Sequence, residues 1–108
     1  MNAMMNKWLV ILALAGASVV SAKSYSVTIV DPSTVHNVRL NPGDYRLKLD
    51  GSNAVFTDAD GNHYTAPVSV QQATKKFDNT EVETEKVAGQ DRIEEIRLSG
   101  TKMKLEFN

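Results

Sequence analysis

From Lys102 to Phe107, apolar and charged side chains alternate strictly: Met103, Leu105 and Phe107 take one parity, and Lys102, Lys104 and Glu106 the other. Side chains of a β-strand point alternately to its two faces, so this pattern makes a strand with one buried and one wetted face. The same period recurs upstream. Tyr25, Val27 and Ile29 share a parity, and so do Tyr45, Leu47 and Leu49, with Arg46 and Lys48 opposite. Between them, residues 34–40 read as a further strand with Val38 and Leu40 inward.

Turn chemistry punctuates these runs. Asp31-Pro32, Pro42-Gly43, Asp50-Gly51 and Asp58-Ala59-Asp60-Gly61 each place a φ-fixing proline or a glycine able to take positive φ where a strand would end. Residues 53–57 then form a short strand and residues 63–70 another, in which Pro67 marks an edge position or a bend because it has no N–H to give a ladder. Residues 80–87 put Val82 and Thr84 on one side and Glu81, Glu83 and Glu85 on the other. A three-residue loop at Ala88-Gly89-Gln90 would return the chain along residues 91–98, setting Val82 opposite Ile96 and Glu81 opposite Arg97. Ile93-Glu94-Glu95-Ile96 breaks the alternation, which predicts a β-bulge. The competing reading is a helical turn capped by Asp91 with Glu94 three residues on. Seven or eight short strands at this spacing predict an all-β domain, a small antiparallel β-sandwich or barrel.

The first 22 residues are of different material. Lys7 is the only charge before Lys23, Trp8 to Ala17 is an apolar run, and Ser18 to Ala22 is rich in small residues. That is the build of a signal peptide ending at Val20-Ser21-Ala22, with translation starting at Met1 or Met5. A membrane span wants roughly 20 apolar residues, so no span is expected after cleavage. The expected location is the periplasm or the medium. With no cysteine in the chain, a lipid anchor at the cleavage site and a disulfide framework are both excluded.

Of 108 residues, 86 remain as residues 23–108, enough for one domain. Twelve basic residues, less Lys7, face thirteen acidic ones, a mixed and slightly acidic balance. Nucleic-acid binders carry a basic stripe, so nucleic acid is not an expected partner. A transmembrane barrel is disfavoured too, since it needs strands of about 9–11 residues and aromatic girdles.

Two phrases carry a family likeness. Leu40-Asn41-Pro42-Gly43-Asp44-Tyr45-Arg46-Leu47-Lys48-Leu49 resembles the tyrosine strand of carboxypeptidase-regulatory-like, or prealbumin-like, bacterial β-domains, and Asp58-Ala59-Asp60-Gly61-Asn62-His63-Tyr64 resembles their hairpin. In those domains the hairpin precedes the tyrosine strand, the reverse of the order here. The overall plan also resembles small exported bacterial proteins. The resemblance implies a non-catalytic sandwich module of an exported protein, and no particular activity.

Candidate chemistry is sparse. Asp58, Asp60 and Asn62 echo the start of a calcium loop, but the glycine, Gly61, is fourth rather than sixth, and the twelfth position is Ser69 rather than glutamate. The run therefore reads as a turn. His36 and His63 lack zinc spacing. No nucleophile elbow occurs, and Glu94 and Glu95, being adjacent, are expected on opposite faces of a strand, the wrong geometry for an acid and base flanking one bond. Neither an enzyme nor a cofactor is indicated, and nothing in the pattern sets an oligomeric state. The Glu81, Glu83 and Glu85 face is the candidate contact surface, for a basic protein partner. Two functional readings stand: a contact module of the bacterial envelope or secretome, or a small-ligand or carbohydrate-binding module.

The exported chain is expected to begin at Lys23, because Ala22 and Val20 fit the cleavage positions. Intact mass spectrometry of the exported form checks this; a form that still carries Trp8 contradicts it.

Overall fold

The computed structural model describes residues 23–107; the leader assigned to residues 1–22 lies outside them. In chain order the strands are β1 (Tyr25–Ile29), β2 (Ser33–Val35), β3 (Val38–Leu40), β4 (Gly43–Asp50), β5 (Asn53–Thr57), β6 (His63–Pro67), β7 (Ser69–Gln72), β8 (Glu81–Val87), β9 (Gln90–Arg97) and β10 (Met103–Glu106). No helix forms among them, and Asp91–Glu94 is part of β9, so the capped-turn reading is set aside.

The strands make two sheets. One is an antiparallel meander edged by β1, in the order β1-β4-β5-β6. The other runs β3-β2-β9-β10-β7, with β8 on the opposite edge of β9. One pair departs from the antiparallel expectation: β2 runs parallel to the start of β9, through Ser33↔Asp91 and Thr34↔Arg92. The count of ten exceeds seven or eight because two runs that read as single strands are divided. Residues 34–40 fold into the β2–β3 hairpin around His36-Asn37, with Val35 opposite Val38. That turn holds His36 at φ 54°, a conformation glycine normally supplies, so it left no glycine signal. Residues 63–70 break at Val68, where the chain leaves the edge of the first sheet for the edge of the second. Pro67 sits at that corner as the last residue of β6, where a missing N–H costs no ladder bond.

Alternation delivers one core shared by both sheets. Val27, Ile29, Tyr45, Leu47 and Phe56 from the first sheet meet Leu40, Ile93, Ile96, Leu98 and Leu105 from the second, all buried. Phe107, just beyond β10, is buried with them. Tyr45 packs edge-on to Phe56 with ring centroids 6.3 Å apart, and Phe56 lies 6.0 Å from Phe107. Burying side chains of this size contributes about 1.5–3 kcal/mol each. The Tyr45 hydroxyl donates to the Asn41 carbonyl, which ties the loop before β4 to the core and satisfies the one polar atom of that ring.

The β8–β9 hairpin corrects one detail and bears out another. Its loop has two residues, Ala88 and Gly89, with Val87 paired to Gln90. Both lie at positive φ, 54° and 81°, which is the type I′ turn that matches strand twist. A two-residue loop alone would shift the pairing by one, and the bulge takes up that residue. Pairing runs Thr84↔Ile93 and then Glu83↔Glu95, with Glu94 extra, so Val82 still meets Ile96 and Glu81 still meets Arg97.

Alanine pays a steric penalty at positive φ that asparagine largely avoids. Ala88→Asn, which creates the preferred Asn-Gly turn, is expected to stabilise the domain by about 0.5–1 kcal/mol. Urea unfolding measures this, and an unchanged or lowered midpoint contradicts the turn assignment.

Candidate functional site

The outward face of the second sheet is built by β8, β9 and β10 in transverse rows. Register places Glu81, Arg97, Lys104 and Gln71 abreast in one row, and Glu83, Glu95, Glu106 and Ser69 in the next. The second row lines up three carboxylates on neighbouring strands, an arrangement that repels unless cations lie diagonally across it. Arg97 supplies that compensation. Its Nε donates to Glu95 at 2.6 Å, Nη1 to Glu81 at 3.1 Å and Nη2 to Glu83 at 2.8 Å. The bond to Glu95, aided by the nearby charge of Glu83, holds the guanidinium even further toward its charged form than usual. Lys104 stands 4.0 Å from Glu106. Such pairs are screened by solvent, so they order the face more than they stabilise the fold.

The structure thus separates the three glutamates singled out in the sequence. All three are exposed on β8, but Glu81 and Glu83 are bound by Arg97, while Glu85 lies opposite Arg92 across the ladder. Among the described residues neither Glu85 nor Glu94 has a basic side chain within 4.0 Å. A hydrogen bond with Glu85, together with partial desolvation and the Glu85 charge, instead pushes the Glu94 carboxyl above its ordinary range. The bulge explains this. It turns both Glu94 and Glu95 outward, against the expectation of opposite faces, while Ile93 and Ile96 stay buried. At the far end of the hairpin Lys86 pairs with Asp91 at 2.9 Å, and that hydrogen bond raises the lysine.

The Asp58 loop is closed on itself. Asp58 Oδ1 accepts from the backbone N–H groups of Asp60 and Asn62 at 3.0 and 2.9 Å, and Oδ2 from Asn62 Nδ2 and the Tyr64 hydroxyl at 3.2 and 3.1 Å. The carboxylate is therefore spent on the turn, and Gly61 takes φ 88° to complete it. These bonds, the Asn62 N–H first, lower the Asp58 carboxyl, and the bond from Tyr64 raises that phenol. The loop also meets β4 here, Tyr45 lying edge-on to Tyr64 at 6.3 Å. His63 shares a 2.8 Å hydrogen bond with Thr57, while His36 sits in the β2–β3 turn. Among the described residues no three His, Asp or Glu side chains gather in a metal-holding group.

Two partly open hollows mark the surface. One of about 540 Å³ runs over Val27, Asp44, Tyr45, Arg46, Asp58 and Ala59, and another of about 410 Å³ lies over Asp31, Arg39, Lys86 and Asp91. No family model, curated protein or solved structure matches the chain.

Because the folded-state value of Asp58 lies below its ordinary 3.8, its contribution to stability is complete above that pH and is lost as pH falls through the lowered value. Asp58→Asn is expected to lower the melting temperature at neutral pH, with the gap to the parent protein closing in strong acid. A gap independent of pH contradicts the role given to the carboxylate.

Proposed function

We propose that this chain is an exported, non-catalytic β-domain of the bacterial envelope or secretome that acts through protein contact, with the outward face of β8 and β9 as its contact surface. The observation that carries this reading is the charged lattice on that face. Six carboxylates, Glu81, Glu83, Glu85, Glu94, Glu95 and Glu106, stand against Arg97, Lys104 and Arg92, and Glu85 and Glu94 are the two without a basic group within 4.0 Å. A flat face with residual negative charge fits a basic protein surface. Charge of this kind acts mainly on the rate and selectivity of association. The ligand-binding alternative is carried less well. A small-molecule site is a largely apolar enclosure, whereas the hollows described above are only partly enclosed and carry charged groups, Asp44, Arg46 and Asp58 in one and Asp31, Arg39, Lys86 and Asp91 in the other. Of the three tyrosines, Tyr45 is buried and Tyr25 and Tyr64 are half-buried, so no fully exposed tyrosine ring offers a sugar platform among the described residues.

The test replaces Glu81, Glu83 and Glu85 together with glutamine. Glutamine keeps the hydrogen-bonding shape but leaves Arg97 less compensated, so the face turns against a basic partner. Cross-linking of the exported protein in its host, followed by identification of what is captured, is expected to give a partner that the triple variant holds less well, most clearly at low salt. A folded variant that captures the same protein equally at low and high salt removes this face from the reading.

A further inference from the structure

β8 is paired along one edge only. Among the described residues its partner is β9, and nothing bridges its other side. The direction of its backbone groups follows from the turn. A two-residue type I′ loop closes on a pair that exchanges both hydrogen bonds, here Val87 and Gln90, and β8 itself carries no extra residue. Glu81, Glu83, Glu85 and Val87 therefore direct their N–H and C=O groups to β9. Val82, Thr84 and Lys86 direct theirs to the open edge.

The two flanks of that edge differ in chemistry. On the outward side stand Glu81, Glu83 and Glu85. On the inward side the first sheet stops at β1, leaving a partly enclosed hollow of about 210 Å³ between Ile29 and Val30 on one side and Val82 and Thr84 on the other, with Asp31, Ser33 and Asp91 at its polar end. Val30 is 78% exposed there. Any strand added to β8 would have one row of side chains over this hollow, beside the Val30 and Val82 side chains at its mouth, and the alternate row beside the glutamates.

We propose that the open edge of β8 accepts an extended segment of a protein partner as an added antiparallel strand, and that the segment alternates basic and apolar residues. This deepens the contact reading above and rests on it. In antiparallel register the partner's apolar residues lie opposite Val82, Thr84 and Lys86 and exchange the backbone hydrogen bonds. Its lysines or arginines lie opposite Glu81, Glu83 and Glu85 in non-hydrogen-bonded pairs, where side chains approach most closely. A cation beside Glu85 also relieves the carboxyl contact with Glu94. The same charges select against a second copy of this chain, because β8 on β8 would set glutamate against glutamate.

The probe is a capped heptapeptide alternating lysine and valine, titrated into the folded domain by calorimetry. It is compared with a glutamate and valine peptide, and with the lysine peptide N-methylated at its valines. The lysine peptide is expected to bind at least about tenfold more tightly than the acidic one, more strongly at low salt. N-methylation should abolish binding, because it blocks the edge-facing amides and leaves the charge intact. Thr84→Pro, which removes an edge N–H that makes no ladder bond, should abolish it too while the melting temperature is kept. Should the proline variant prove unfolded, the methylated peptide decides without any change to the protein. Equal binding of methylated and unmethylated lysine peptides overturns edge pairing while leaving a charge-based face contact standing. Failure of every peptide overturns the edge proposal alone if the triple glutamine variant still loses its cross-linked partner, and both readings if it does not. Self-association of the peptide-free domain that Thr84→Pro removes would assign the edge to a second copy and overturn the proposal.

Discussion

The pairing of β9 on both of its edges is the constraint on which the rest of the second sheet depends. One edge carries β8 along its length; the other carries β2 at its start and β10 at its end. Three strands are therefore held in register by one. Its side chains must satisfy two demands, since Ile93 and Ile96, with Leu98 just beyond, are fully buried while Glu95 and Arg97 face outward. Strict alternation from Ile93 would send Glu95 and Arg97 into the core and Ile96 out of it. The extra residue at Glu94 changes the phase, so the bulge fixes both what the core contains and which charges the outer face displays.

Much that follows is a consequence of where the sheets end. The first sheet stops at β1 and the second extends past it to β8, so β8 is exposed on its outward face and only partly covered within, where Val82 alone is half-buried. Such an overhang is tolerable because its outward row is charged and a tight turn closes it. Arg97 gathers Glu81, Glu83 and Glu95, three of the five glutamates of the hairpin, around one planar fork and so offsets their mutual repulsion. The charge left over, at Glu85 and Glu94, lies near the tip, where a partner has easiest access.

Where one face of a strand is buried, the sequence was readable. β1, β4 and β10 follow their alternation, the bulge lies where the pattern breaks, and Pro67 marks the corner between sheets. What escaped has physical causes. The His36-Asn37 turn uses a histidine in a left-handed conformation, so no glycine or proline announced the hairpin. The parallel contact of β2 with β9 depends on tertiary packing between segments more than fifty residues apart, and no local period encodes it. The candidate face was legible as three glutamates of one parity. The Arg97 fork was legible only in part, because the Glu81 pairing follows from register whereas the bonds to Glu83 and Glu95 depend on rotamers. That Glu94 joins Glu95 on the same face could be read only by working out what a bulge does to side-chain direction.

The central claim, that β9 organises the second sheet and leaves β8 with one open edge, is tested most directly by native-state amide hydrogen exchange of the free, monomeric domain. The account predicts that the β9 amides exchange most slowly. Along β8 it predicts a period of two, with Glu81, Glu83, Glu85 and Val87 protected and Val82, Thr84 and Lys86 exchanging quickly. Uniform protection along β8, or β9 amides that exchange as fast as those of the peripheral strand β7, would contradict it.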